Sequence, residues 1–257
     1  MATKPTHQEL LDAGVHFGHL RRKWNPKMSS YIFGEKNGIH LIDLNSTLST
    51  MERAGNAVRQ IARAGKKILF VATKKQARDI VTECAKEVNM PYVTDRWQGG
   101  MLTNFNTIRR SIRKMQNIQR MLEDGTLDSV TKKERLTLTR EHEKMNKVLG
   151  GIADMSRIPN AIFVVDIVHE HLAVAEAKKL NMRTFGIVDT NADPSSVDYP
   201  IPGNDDASKS ITVIIKYLTD CIKDGLAERG EEKDAKASSG EAAAAPAAAE
   251  AEAPKAE

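Results

Sequence analysis

The sequence predicts an α/β fold: a parallel sheet covered by helices on both faces, interrupted by an inserted antiparallel coiled-coil helical hairpin. Three observations predict it. Short, continuous Val/Ile-rich runs alternate with amphipathic runs, the pattern of strands buried on both faces and joined by right-handed helical crossovers. Between about Thr103 and Gly151 that alternation stops, and apolar residues recur at three- and four-residue spacing through two long stretches. Apolar residues make up 40% of the 257 and aromatics only 5%, so there is ample material for a core and it is aliphatic.

The elements follow in chain order. Ile32-Phe33, a Gly34–Gly38 loop and Ile39–Leu44 predict a β-hairpin. Asn45 or Ser46 is suited to cap a helix reaching about Ala64, with Leu48, Met51, Ala54, Val58 and Ile61 on one face and Gly65 at its end. Lys67–Ala72 is a buried strand, Lys74–Val88 a helix and Pro91–Thr94 a short strand. In the insertion, Phe105, Ile108, Ile112, Met115 and Leu122 form one apolar stripe, and Leu138, His142, Met145, Leu149 and Ile152 form the other. Asp124-Gly125-Thr126 reads as the turn between them, and Thr131–Glu134 as a capping box opening the second helix. Ala161–Val165 and Thr184–Val188 are strands flanking a helix over His169–Leu180, and Ile211–Leu226 is a closing helix. Residues 1–102 and 152–227 thus form the α/β body with an N-terminal extension, and 103–151 the hairpin. Residues 228–257, rich in Ala and Glu with almost nothing to bury, are expected to be disordered.

The formal charge of +4 is unevenly spread. Eight acidic and four basic residues from Glu228 onward make that segment −4 and leave +8 on residues 1–227. A basic body calls for a polyanionic partner. The hairpin carries eleven basic residues against six acidic ones, and its first helix is basic nearly throughout. No run of eighteen apolar residues and no signal pattern occur, so a cytoplasmic protein without a membrane partner is expected. Cys84 and Cys221 form no CxxC pair, which excludes a zinc ribbon or a disulfide framework.

The nine residues Arg96–Asn104 (RWQGGMLTN) stand where the body hands the chain to the hairpin. Cation, large ring and mobile backbone together suit a nucleic-acid backbone or an unstacked base. The competing reading makes Trp97 a wedge between body and hairpin, with Gly99 and Gly100 setting the angle of the arm. The wedge is favoured for Trp97, while Arg96 and Asn104 remain RNA-contact candidates. For Trp24, stacking on RNA and packing under a loop stand equal.

The chemistry of an enzyme is missing. The turn after the first strand of the body reads Thr73-Lys-Lys-Gln rather than GxGxxG, and no GxxxxGK[ST], GxSxG or HExxH occurs. Lys74 and Lys75 at that helix start are candidates for an outside phosphate. A weaker pattern concerns metal. His16 and His19 lie three apart, and Asp189, Asp193, Asp205 and Asp206 follow the carboxyl end of the last recognised strand. His19 with Asp189, Asp193 and Asp205 would suit a single structural zinc or magnesium, against the plainer reading of hydrogen-bonded loop carboxylates and a packed histidine. No other cofactor is expected.

Several short motifs occur in register: Ala13–His19 (AGVHFGH), Trp24–Met28 (WNPKM), Tyr31–Gly34 (YIFG), Ile39–Leu44 (IHLIDL), Arg96–Asn104, Leu149–Ile152 (LGGI), Ile187–Asn191 (IVDTN) and Ile201–Asp206 (IPGNDD). In this order and spacing, over roughly residues 5–227, the chain resembles the bacterial small-subunit ribosomal protein S2 family. That resemblance implies a Rossmann- or flavodoxin-like body with a protruding hairpin and no enzyme activity. It implies a structural constituent of the small ribosomal subunit, between head and body. Its partners would be 16S rRNA, neighbouring proteins and the large mRNA-binding protein, which it helps dock. The residues expected to meet RNA are then Arg21, Arg22, Lys23, Trp24, Asn25 and Lys27 near the N-terminus, Lys74 and Lys75, and Arg96, Asn104, Arg109, Arg110, Arg113 and Lys114 at the hairpin base. The alternatives are a free RNA-binding regulator and a nucleotide-dependent α/β enzyme.

Overall fold

The computed structural model describes residues 2–124 and 131–242, with side chains through 232. After a one-and-a-half-turn helix α1 (His7–Asp12), three antiparallel strands, β1 (Phe17–Leu20), β2 (Ile32–Lys36) and β3 (Ile39–Ile42), form a small sheet in the order β1-β3-β2. The predicted hairpin is β2 and β3, but its loop is only Asn37-Gly38, so part of the expected loop is strand. β1 has no alternating apolar pattern and is not foreseen by the sequence.

Helix α2 (Leu44–Arg63) begins earlier than expected, because Asp43 is the better cap. Its carboxylate accepts from the N–H groups of Asn45 at 3.0 Å and Ser46 at 3.2 Å. The five strands of the main sheet are β4 (Ile68–Val71), β5 (Tyr92–Val93), β6 (Ala161–Val165), β7 (Arg183–Val188) and β8 (Tyr199–Pro202). All are parallel, in the order β5-β4-β6-β7-β8. This doubly wound order reverses direction between β4 and β6, and the crevice beyond the carboxyl ends at such a point is where α/β proteins gather ligands. β8 escaped recognition because Pro200 and Pro202 do not read as strand, yet proline is admissible on an edge.

Pleating sends alternate residues to two cores. Ile68, Phe70, Phe163, Phe185, Ile187 and Ile201 meet α2, α3 (Lys75–Glu87) and α7 (Ser208–Ala242). Leu69, Val71, Ile162, Val164 and Val188 meet α6 (His171–Lys179), Trp97 and the bases of the hairpin helices α4 (Phe105–Glu123) and α5 (Lys132–Leu149). α6 starts two residues later than expected because Asp166 holds the N–H groups of Val168 and His169 in a preceding turn.

The hairpin differs in detail from its pattern. On α4 the buried stripe is Phe105, Ile108, Ile112, Met115 and Ile118, with Ile118 rather than Leu122 at its far end. On α5 only Leu149 is buried, while Leu138, His142 and Met145 are half-buried. Thr131 caps α5, but the Glu134 carboxylate takes the Thr131 hydroxyl at 2.9 Å, so the capping box forms by one half. The turn expected at Asp124-Gly125-Thr126 lies mostly outside the described residues.

The boundary at Ala227 needs correction. α7 continues through Ala242, because Glu228 and Glu232 find Arg59 and Arg63 on the neighbouring α2. Residues 243–257 lie outside the described residues.

Candidate nucleic-acid interface and the carboxyl edge of the sheet

The chain leaves the body through Arg96–Asn104, and Glu176 of α6 fixes how. Its carboxylate accepts the Trp97 indole N–H at 3.1 Å and the Gly100 N–H at 2.7 Å on Oε1. Its Oε2 accepts the Leu102 and Thr103 N–H groups, each at 3.0 Å, and the Thr103 hydroxyl at 3.1 Å. Burial opposes ionisation here, but the donors from Thr103, Gly100, Leu102 and Trp97 overcome it and hold the carboxyl below its ordinary range. Trp97 is 7% exposed among Met101, Leu102 and Phe105, which is the wedge and leaves no ring face for a base. Gly100 adopts φ +89°, which a side chain resists, whereas a Cβ at Gly99 would meet nothing within 4 Å. Gly99 therefore does not share the angle-setting role expected for the pair.

Basic side chains surround this joint. Arg96, Arg109, Arg110 and Arg113 are exposed, and the three on α4 lie on the arc opposite its buried stripe. Among the described residues none of the four makes an ion pair. Lys114 is also exposed but pairs with Glu141 across the hairpin. Asn104 is exposed and accepts from the Thr107 hydroxyl at 2.9 Å. In the N-terminal segment Arg21, Arg22, Lys23 and Lys27 are exposed, Arg21 pairing with Glu35 at 3.2 Å and Lys27 with Asp193 at 2.6 Å. Asn25 spends its side-chain oxygen on capping the Lys27 N–H, and its own N–H goes to the Thr190 carbonyl at 2.7 Å. Trp24 is 37% exposed and tilts against His40 at 5.3 Å between ring centroids, so it is both packed and open on one side.

The carboxyl edge of the main sheet holds a second centre. Lys74, at the end of β4, reaches Asp166 at 2.7 Å, Asp205 at 2.8 Å and Asp206 at 2.9 Å. Burial disfavours its charge, but Asp166 and Asp205 outweigh that and raise its pKa. Lys74 therefore points inward and is not available to an outside phosphate, while Lys75 is exposed. His19 lies beside this cluster, with Nδ1 2.9 Å from Asp189 and Nε2 3.6 Å from Asp206. The hydrogen bond to Asp189 raises its pKa against the effect of burial. Asp205 is pushed up to about 7 by burial and by the charges of Asp166 and Asp189, with Lys74 opposing.

Of the four metal candidates, the structure brings His19, Asp189 and Asp205 together. Asp193 stands apart: Lys27 and Ser195 hold its carboxylate and lower its pKa to about 2. Asp206 takes its place. One ligand atom from each of His19, Asp205 and Asp206 lies within 4.8 Å of the others.

The small sheet closes this edge. The His19 N–H donates to Thr190 Oγ1 at 2.9 Å, and Asn204 binds the carbonyls of Gly14 and Val15. Gly18 makes that approach possible, since a Cβ there would stand 2.6 Å from Thr190 Cγ2. The chain thus covers its own carboxyl edge: the N-terminal segment lies over the ends of β7 and β8, and the Lys74–Asp166 pair stands at the switch point between β4 and β6.

A doubly wound body with a basic helical arm agrees with what comparison finds. The family model described as Ribosomal protein S2 matches residues 10–225. The chain belongs to the ribosomal protein S2 family. Its relatives include the small ribosomal subunit protein uS2 of Cytophaga hutchinsonii, 60% identical over 91% of this chain and 92% of that protein. The uS2 of Flavobacterium johnsoniae is 56% identical over 96% of this chain and 99% of its own length, and that of Christiangramia forsetii 58% over 90% and 78%. As an S2-family member the chain is a ribosomal protein of the small subunit and not an enzyme. No helix among the described residues is long and apolar enough to cross a membrane.

In this member of the S2 family, sequence reasoning missed Glu176, Thr190 and Asp166 as organising residues. Glu176 has no local signal, since its partners lie 73 to 79 positions away. Asp206 belongs to the edge carboxylates that the sequence marks, but not to the four-residue set, and the structure brings it to His19 and Lys74.

Proposed function

We propose that this chain is an architectural constituent of the small ribosomal subunit that grips 16S rRNA with the outer arc of its arm. The carrying observation is the segregation on α4: five apolar side chains buried on one arc, and Arg109, Arg110 and Arg113 exposed without acidic partners on the other. Arg96 at the joint extends this surface, and Arg22, Lys23 and Lys75 are further exposed cations. Such groups bind phosphates by releasing condensed counterions, a term that needs no sequence readout and no catalytic group. Glu176 supports the reading by holding the arm's root at one angle, so that the cations meet an RNA surface of fixed shape. Lys114 and Asn104, already engaged within the arm, contribute less.

Protein neighbours are served by the small sheet. Phe33 is 80% exposed, Phe17 47% and Leu20 45%, and exposed apolar groups on two strands of one small sheet suit a protein surface. A neighbouring small-subunit protein, and in particular the large mRNA-binding protein, is the partner we assign to it.

Reconstitution into small subunits tests both surfaces in one experiment. Charge reversal of Arg109, Arg110 and Arg113 to Glu should weaken incorporation and reduce the slope of log affinity against log salt by about three, one for each phosphate contact. Phe33→Asp should leave that slope unchanged and lower the amount of the large mRNA-binding protein retained. An unaltered salt slope in the triple variant would remove the arm from the RNA interface.

A further inference from the structure

We propose that a cavity at the amino edge of the main sheet receives one unstacked nucleotide of an RNA strand. The cavity measures about 570 Å³, within the range of small-ligand sites. It lies where the chain enters β4, β5 and β6, on the edge opposite the Lys74 cluster. Its floor is apolar: Met90 and Met155 are buried, Pro91 and Tyr92 half-buried, and Ile158 is 41% exposed at the mouth. Its rim is basic. Lys66, Lys67, Lys86 and Arg157 are exposed around it, against one acid, Asp154, among the described residues.

The walls are held together. Gly151 lets the turn Gly150–Ile152 lie directly on β5, since a Cβ there would stand 2.2 Å from the Tyr92 carbonyl oxygen. The Lys67 ammonium donates to the Asn89 carbonyl, and the Asn160 N–H to the Lys67 carbonyl at 3.0 Å, which ties the three entering segments to one another. Lys67 is thereby engaged. Among the described residues Lys66, Lys86 and Arg157 make no ion pair. Lys86 also offsets the negative carboxyl end of α3, a role that needs one cation and leaves Lys66 and Arg157. Cations from three segments over an apolar floor call for a ligand that is anionic at one end and flat and apolar at the other. A nucleotide has that form: its base covers Met90, Tyr92 and Met155 while its phosphates reach the rim. The side-chain amides of Asn89 and Asn160 line the same cavity and can meet the edge of the base. Continuity names the source of the nucleotide. Asp154, Met155 and Ser156 form a ridge shared with a smaller hollow against Arg109, Ile112 and Arg113 of α4. The rim cations therefore run on into those of the arm, and one strand can follow both. The assignment rests on the arm's reading as an RNA surface and adds to it a place where a base is held.

The full chain and a short single-stranded RNA carrying one fluorescent purine provide the test, with affinity read by anisotropy and base insertion by the purine's emission. The wild type should bind and change that emission. Lys66→Gln, Lys86→Gln and Arg157→Gln together should lower the slope of log affinity against log salt by about two, for three contacts to a single strand, and abolish the emission change. Ile158→Glu alters an exposed side chain, so it should fold, and it should remove the emission change while the arm still binds RNA. Reversal of Arg109, Arg110 and Arg113 to Glu separates the two readings: that variant should bind more weakly yet keep the emission change at saturation. Cavity variants that match the wild type in slope and emission would overturn the cavity and leave the arm's reading standing. Adenosine monophosphate binding as tightly as the RNA would overturn the strand as the source.

Discussion

The two carboxylate centres of the body solve opposite problems. At the arm's root a single carboxylate, Glu176, faces five donors, and every one is a neutral N–H or O–H group. At the carboxyl edge four carboxylates share one ammonium and one imidazole. Donors exceed charge in the first and charge exceeds donors in the second. The first is therefore complete in itself and acts as a rivet. The second depends on one cation, Lys74, for most of its neutralisation, so its stability is concentrated in one side chain.

Lys74→Met is the sharpest way to break that contrast. It strands Asp166 and Asp205, both nearly inaccessible, and should cost about 4 kcal/mol, the range for breaking a buried ion pair. In calorimetry that corresponds to a melting temperature lower by roughly 10 °C for a chain of this size. A loss of only a degree or two would mean that the aspartates protonate or find another cation.

Glu176→Ala should cost less, about 2 kcal/mol, because its donors are partly reached by water once the carboxylate is gone. Glu176→Gln adds a pH signature. Glu176 ionises below its ordinary pKa of 4.5 in the folded chain, so the stability it contributes is complete above pH 4.5 and lost as pH falls through the lowered value. Acid unfolding of the Gln variant followed by circular dichroism should lack that portion of the decline, and an unchanged profile would detach Glu176 from the acid sensitivity.

The smallest effects distinguish the paired glycines. Gly100→Ala should destabilise by about 1–2 kcal/mol through its left-handed backbone and a 3.3 Å approach to Asn104 Cβ. Gly99→Ala should change stability by less than about 0.5 kcal/mol, since it meets nothing. Equal losses in urea denaturation would show that the joint tolerates no change anywhere, rather than being pinned at one residue.

Legibility in the sequence followed how local each signal is. Residues 161–165 and most of 67–72 are runs of apolar residues with helices on either side, and a parallel strand buried on both faces has no other way to be written. The arm was equally plain, because helical spacing repeats within a few residues. β8 was hidden by its prolines, and β1 by its shortness, its glycine and its histidine. At the site, Lys74 and Lys75 are indistinguishable as letters, yet one turns into a nest of aspartates and the other into solvent. Asp193 and Asp206 likewise trade roles: the former is claimed by Lys27, which comes 166 residues earlier. Charge pairs across such separations are set by topology, and no window of sequence contains them.

The docking of the small sheet through Gly18 and Thr190 has a further consequence. A segment that covers the sheet's edge while remaining part of the same chain competes as a tethered ligand, present at an effective concentration in the millimolar range or above. Any outside molecule directed to the ends of β7 and β8 must first displace it, and so binds with an affinity reduced by the fraction of time the segment is away. The N-terminal segment around Gly14–His19 thus belongs to the edge of the sheet as a permanent guest.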